Sequence, residues 1–336
     1  MEKKDSGLVS VELESPSRLL NLVESNQGSR LDLFLATELA LSRAQVRRLL
    51  DSGAVSLDGR TLGLSDKGLS LPSRGLIEVG VYRAGRDQVI HLNRPGDEIP
   101  EELARGSGWL ALAKPAGMPV HPLDEEESAT VLSCVAELDP EIRGVGEGGL
   151  RSGVVHRLDV DTSGVLLMAT QEPVWRTLRR AFAEHRVEKT YLALVEGKPR
   201  WSEHDEEMRL WLCVSRHRPA RVRVATESDR ARGRAREIRQ AVQVLEVFGS
   251  TSLVEIRPRT GFLHQIRASL SHFGHPVVGD LRYGATPGVL GAERHMLHAQ
   301  RARFEEIGAE CPAPEDFERA LGVARGEAGV SEPEST

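Results

Sequence analysis

The alternation of apolar and polar positions divides the chain into a polar lead, a short helix–strand unit, a connecting stretch, a long strand-rich region and an acidic tail. Residues 1–27 are polar and poorly periodic, and the composition predicts disorder. Leu31, Phe34, Leu35 and Leu39 then recur at helical spacing. Ser42 is a good cap for a second helix and Gly53 a good stop. In that second helix Val46, Leu49 and Leu50 point one way, while Arg43 and Arg47, four apart, share another face with Arg48 beside them. Val55 and Leu57 alternate into Asp58-Gly59, a strong hairpin signal, and an apolar run over 76–81 closes a unit spanning 28–85. Residues 86–106, with Pro95, Gly96 and Pro100, read as a linker. From 107 to 306 the pattern predicts short strands at 109–113, 154–155, 165–169, 191–196 and 253–256, and helices at 173–184 and 264–272. Strands and helices do not alternate regularly, so an α+β fold is expected rather than a doubly wound one. Residues 307–336 are acidic and punctuated by glycine and proline, which predicts a disordered tail.

Composition narrows the class. With 336 residues, 40% hydrophobic and 28% charged, the chain can form one large domain and one small one. No apolar run is long enough to span a membrane, and the N-terminus lacks the apolar core of a secretory signal. The cysteines, Cys134, Cys213 and Cys311, form no CxxC pair, which fits a reducing cytoplasm. The formal charge of −6 argues at first against a nucleic-acid partner. Its distribution reverses that: residues 305–336 carry a net −7 and residues 1–27 a net −2, leaving about +3 on the body between. Within that body, residues 214–239 hold nine arginines against three acids, a stripe able to attract phosphate or simply to be a solvated face.

Four stretches could carry chemistry. His156-Arg157-Leu158-Asp159-Val160-Asp161-Thr162-Ser163-Gly164 is a polar loop between apolar runs, a usual place for a site on a rigid scaffold. Asp161, Thr162 and Ser163 suit the loop's own turns, which leaves Asp159 as the free carboxylate. Arg259-Thr260-Gly261-Phe262-Leu263-His264-Gln265-Ile266-Arg267 enters a helix whose N-terminus favours anions, and Arg267 could hold a carboxylate from another loop ionised and oriented. Tyr191 opens a strand, where an aromatic stacked on a base is worth roughly 1–3 kcal/mol, although alone it reads equally as a core residue. Lys114-Pro-Ala-Gly-Met-Pro-Val-His121-Pro is a stiff turn.

Taken in order, these stretches resemble the RluA/RluD-type pseudouridine synthases, over about residues 30–304. The Arg-Leu-Asp-x-x-Thr-Ser-Gly element is the most specific, and Gly274-His-Pro-Val-Val-Gly-Asp280-x-x-Tyr-Gly284 and Leu297-His298-Ala299 fit as well. The unit at 28–85 resembles the alpha-L RNA-binding domain that often precedes the family's catalytic domain. The resemblance implies a long mixed sheet with a central cleft. It implies Asp159 as catalytic carboxylate, Tyr191 packed on the base, Arg267 as the basic partner, and Arg157 filling the gap left by a flipped nucleotide. Further RNA contacts are expected from His156, Thr162, Arg259, His264 and Gln265, and from Arg43, Arg47 and Arg48 in the small unit. Uridine and pseudouridine are isomers, so no cofactor or metal is required. The expected partner is ribosomal RNA of the large subunit, with transfer RNA second, and the expected state is a cytoplasmic monomer.

Competing readings are weaker. Gly144-Val-Gly-Glu-Gly-Gly149 matches a dinucleotide fingerprint but lacks a strand before it and a helix after it. His295 and His298 could suggest a metal, but without an acidic or cysteine partner at useful spacing they read as structural. The chain departs from many relatives at Val160, Thr170, Phe262 and Leu263, where polar or basic residues are usual. Those departures motivate the main alternative, an RNA-binding or ribosome-assembly protein without turnover. They also motivate the hypothesis that Arg221, Arg223 and Arg234 supply phosphate contacts instead.

Overall fold

The computed structural model describes residues 18–39, 41, 43–80, 88–92, 98–125, 127–201, 206–217 and 220–326. The chain forms two compact units, the first holding Met1–Val89 with Gly148–Leu150, the second Ile90–Glu147 and Arg151–Thr336.

The first unit carries helices α1 (Leu31–Glu38) and α2 (Arg43–Asp51) with strands β1 (Arg18–Leu22), β2 (Val55–Leu57), β3 (Arg60–Leu62) and β4 (Gly75–Val79), in the sheet order β1-β4-β2-β3. Its core joins Leu31 and Leu35 of α1, Val46 and Leu50 of α2, and Val55 and Ile77 of the sheet. The hairpin between β2 and β3 closes through Asp58 and Gly59, both at positive φ (49° and 80°), which is what a two-residue turn matching strand twist requires. Arg47 is exposed on α2; the side chains of Arg43 and Arg48, and all of Ser42, lie outside the described residues. The disorder expected for residues 1–27 does not extend over 18–27: β1 pairs antiparallel with β4 along its length, with Leu22 buried against the core. Residues 1–17 lie outside the described residues.

The second unit is built on β5 (Glu101–Gly106), β6 (Trp109–Lys114), β7 (Ser163–Ala169), β8 (Glu188–Glu196), β9 (Glu206–His217), β10 (Ala220–Val224), β11 (Arg236–Val247), β12 (Thr251–Pro258), β13 (Leu297–Phe304) and β14 (Ile307–Glu310). They make one mixed sheet in the order β10-β9-β11-β12-β8-β13-β7-β6-β5, with β14 on β13. Its helices are α3 (Val131–Leu138), α4 (Glu172–Ala183), α5 (Glu227–Ala231), α6 (Gln265–His272) and α7 (Glu315–Arg325). This is the expected α+β class.

Strand periodicity sorts the layers. In β7 every residue is buried, because both faces are covered. Val165, Leu167 and Ala169 meet Leu178 and Ala181 of α4, while Leu166 and Met168 meet Val131, Leu132 and Val135 of α3. In β8, Ala193 and Val195 pack with Ile266 and Leu270 of α6, and Leu194 packs with Phe317 and Leu321 of α7. Gly164 sits at φ 117° where a Cβ would collide with the Ala299 carbonyl, so glycine permits β13 to run alongside β7.

Three expectations are corrected here. The linker assigned to 86–106 ends earlier, since β5 pairs with β6. Val154 makes only an isolated bridge to Met168, and residues 154–155 form no strand. The tail assigned to 307–336 is ordered as far as residue 326: β14 pairs with β13, and α7 buries Phe317, Ala320 and Leu321. Apolar residues at i, i+3 and i+4 outweigh the acidic count, which sits on the other face. Residues 327–336 lie outside the described residues.

Candidate active site

The loop from His156 to Thr162 leaves the core at Val155 and re-enters it as β7, and its shape is held from several directions. Thr162 N–H donates to the Asp159 carbonyl at 3.1 Å, closing the turn. The Val160 carbonyl accepts from Gly117 N–H at 2.9 Å and from Lys114 Nζ at 2.7 Å. Lys114, 1% exposed, also donates to the carbonyls of Pro115 and Met118, at 2.6 and 2.8 Å. Burial pushes its pKa down to about 7, with Asp161 opposing, yet three carbonyl acceptors call for all three ammonium protons. Arg294 donates to the Asp161 carbonyl at 3.0 Å while gripping Asp316 of α7 through two nitrogens. The stiff proline turn of residues 114–122 thus serves as a brace under the loop.

Asp159 emerges from this frame against α6. Its Oδ2 accepts from Arg267 Nη1 at 2.9 Å. Arg267 is in turn held by Asp280 in a two-point grip, Nε to Oδ2 at 2.6 Å and Nη2 to Oδ1 at 2.8 Å. Side-chain exposure falls along the row, from 18% at Asp159 to 7% at Arg267 and 1% at Asp280. The buried guanidinium therefore balances two carboxylates, one of which faces the open side. Burial pushes the Asp159 pKa up, but His264, Arg267 and the Arg267 hydrogen bond more than offset it, and the carboxyl ends below its ordinary value. Burial likewise lowers the His264 pKa, so at neutral pH the full charge beside Asp159 is that of Arg267. Arg267 is held above its ordinary value: desolvation opposes this, and the Asp280 and Asp159 interactions win.

Asp159 opens onto a cleft of about 570 Å³, within the range of small-molecule sites. Arg157, Tyr191, Phe262, His264 and Arg267 line it with Asp159. Tyr191, from β8, packs against two apolar clusters, one beneath α3 and one beneath α6. Burial and the Asp159 charge push its phenol above the usual value, so it stays neutral. Arg157 is exposed on the wall. His264 caps α6 with Nε2 3.8 Å from Asp159 Oδ1.

The remaining sequence-derived candidates sit elsewhere or do other work. His156 stacks on Phe182 at 4.5 Å, and its Nε2 accepts Leu167 N–H at 2.9 Å; burial drives its pKa to about 3. Thr162, 2% exposed, bonds His295 Nε2 at 2.8 Å, which leaves it no surface to offer RNA. Gln265 is also buried, bonding Thr260, Phe262 N–H and Gln240. Arg259 lines a neighbouring, larger groove of about 1090 Å³ that shares Lys189 and Thr260 with the cleft. Many of that groove's charges are paired within it, Arg239 with Glu237 and Arg257 with Glu255, and it holds no carboxylate braced like Asp159. The braced carboxylate marks the smaller cleft as the candidate active site. His298 bonds Ser163 and the Cys311 carbonyl, at 3.0 and 2.9 Å.

Asp280 and Tyr283 fall within the motif that begins at Gly274, but the sequence assigned neither a role. Asp280 follows Gly279, where a Cβ would collide with the Arg294 carbonyl, and a carboxylate in so tight a turn was the available signal. Phe262 and Leu263, the departures from the usual pattern, pack against Leu212, Val222 and Ile238.

Known proteins share this architecture. The sequence model of the RNA pseudouridylate synthase family matches residues 108–272. The chain is 33% identical to an uncharacterized RNA pseudouridine synthase of Chloroflexus aurantiacus over 320 residues, covering 90% of this chain and 92% of that one. It is 30% identical to ribosomal large subunit pseudouridine synthase C of Escherichia coli over 330 residues, covering 93% and 98%. The solved structure of human RNA pseudouridylate synthase domain containing 1 is similar with a TM-score of 0.53 at 26% identity, covering 69% of this chain and 90% of that one.

Proposed function

Since the chain belongs to the RNA pseudouridine synthase family, we propose that it converts uridines of large-subunit ribosomal RNA to pseudouridine with Asp159 as the catalytic carboxylate. The observation that carries this reading is the braced row Asp159–Arg267–Asp280, which presents one ionised carboxylate to a nucleoside-sized cleft.

The reaction breaks the N1–C1′ bond, turns the uracil and forms the C5–C1′ bond. The proton on C5 leaves and N1 gains one, so atoms and electrons balance without a co-reactant. An ionised carboxylate serves this chemistry as a nucleophile at C1′ or as a base on the sugar. Arg267 keeps Asp159 ionised despite burial and fixes its direction. The uridine leaves its stack at a cost of a few kcal/mol, offset by the cleft. There Tyr191 packs on the base, and Arg157 stands where it can fill the gap left in the RNA. The first unit, with Arg47 on an exposed helix face, adds RNA affinity in the manner of an alpha-L domain.

The alternative of a binder without turnover rested on the departures at residues 160, 170, 262 and 263. Phe262 and Leu263 pack, half-buried, against the cluster beneath α6, which accounts for those two without invoking lost activity. An Asp159→Asn protein should bind ribosomal RNA as tightly as the parent yet form no pseudouridine. Equal product from parent and variant would sink the assignment of Asp159.

A further inference from the structure

His264 lies between two groups that decide where its proton sits. It caps α6 in the left-handed conformation, φ 49° and ψ 24°, a placement that costs a non-glycine residue energy and recurs at functional sites. Its Nδ1 is 2.9 Å from the Tyr283 hydroxyl. Tyr283 is buried, and the same hydroxyl accepts Val222 N–H at 2.9 Å. A phenol has one proton to donate. Among the described residues the acceptor in reach of that proton is Nδ1. With Nδ1 accepting, a neutral ring carries its hydrogen on Nε2. The surroundings favour the neutral ring: burial lowers the pKa, Asp159 and Asp280 pull it up, and Arg267 and Arg282 push it further down.

Nε2–H therefore faces Asp159 Oδ1 across 3.8 Å, beyond hydrogen-bond length, at the wall of the cleft. One oxygen about 2.9 Å from Nε2 and about 2.7 Å from Oδ1 fits that gap. It must accept from the ring and donate to the carboxylate, as a hydroxyl does. The imide edge of uracil also offers a donor beside an acceptor. A carboxylate that works at C1′ faces the sugar, however, and the group next to C1′ is the ribose 2′-hydroxyl. We propose that His264 is a specificity-determining residue, its Nε2–H set by Tyr283, which together with Asp159 brackets the 2′-hydroxyl of the target uridine and so selects RNA over DNA. This rests on the assignment of Asp159 above.

The test uses the full chain with ¹⁵N-labelled histidine, the His264 signals being identified by their loss in His264→Ala. The parent should show the Nε2–H tautomer, and Tyr283→Phe should shift it toward a mixture. A short oligouridylate should move the His264 Nε2 signal and bind about tenfold tighter than its 2′-deoxy counterpart, the worth of one such hydroxyl. That ratio should drop to about twofold or less in His264→Ala, and His264→Gln, which keeps an N–H, should recover part of it. An Nδ1–H tautomer in the parent, or an unchanged ratio in His264→Ala, overturns the proposal. Equal signal movement by the two oligomers means the ring reads the base edge, and overturns it too. If the bracket fails while Asp159→Asn still abolishes product, only this inference falls.

Discussion

The row Asp159–Arg267–Asp280 and the arginine-bearing ribbon of β9, β10 and β11 use the same cation for opposite purposes. Arg267 is almost fully buried between two carboxylates, where geometry is everything. The ribbon's Arg223 and Arg239 are exposed and paired with Asp229 and Glu237 at 2.8 and 2.9 Å, while Arg216 and Arg221 face each other across the hairpin. Exposed pairs contribute about 0–1 kcal/mol each, and like charges directly opposite one another are destabilising. The ribbon therefore adds a field and the row adds a shape. Substitutions in the row should cost stability and turnover whatever the salt; substitutions in the ribbon should change salt dependence and little else.

The largest effect on stability is expected from Asp280→Ala. It leaves the Arg267 guanidinium buried with half its partners, and denaturant unfolding should show a loss of about 3–5 kcal/mol with turnover falling alongside. A loss below about 1 kcal/mol would mean that the row is not a buried unit.

Next comes the loop's footing on His295, which burial holds at about pKa 4. A histidine whose folded pKa lies below its unfolded value of about 6.5 adds stability above that value and loses it as pH falls toward the folded one. Stability should therefore decline between pH 6.5 and 4, with His295 contributing up to about 3 kcal/mol. His295→Gln should flatten that decline; an unchanged acid limb would place the titration elsewhere.

Lys114→Met strips three backbone carbonyls of their donor and should cost about 1–3 kcal/mol by thermal or denaturant unfolding. It should also lower turnover through the loosened Val160 carbonyl, and full activity would show that the loop does not need the brace. The smallest effect on stability belongs to the ribbon. Replacing Arg221, Arg223 and Arg234 together by alanine should move stability by no more than about 1 kcal/mol. It should reduce the salt slope of RNA binding by about 2. Turnover at saturating RNA should be kept, and an unchanged slope would remove the ribbon from the RNA interface.

The same contrast explains what could be read from the chain. Asp159, Tyr191 and Arg267 were legible because short, ordered stretches of sequence carry them, and the structure brings all three to one cleft. Asp280 was visible within a motif, but its role was not, because its partnership with Arg267 is made by folding. The ribbon strands escaped for another reason. Arg221-Val222-Arg223-Val224 has the two-residue period of a strand, but the arginine density drew attention to charge. Helix α3 is buried nearly all round, so it shows no polar face, although Thr130 caps it by accepting Ser133 N–H.

The most direct test of the central claim is a pseudouridine map of total cellular RNA, comparing a strain that lacks this protein with one that carries Asp159→Ala. The account predicts that the same uridines, in large-subunit ribosomal RNA, lose modification in both strains. Loss confined to transfer RNA would move the substrate while keeping the chemistry. A map unchanged in both strains, or modification retained with alanine at residue 159, would contradict the claim that Asp159 is the carboxylate of a working synthase.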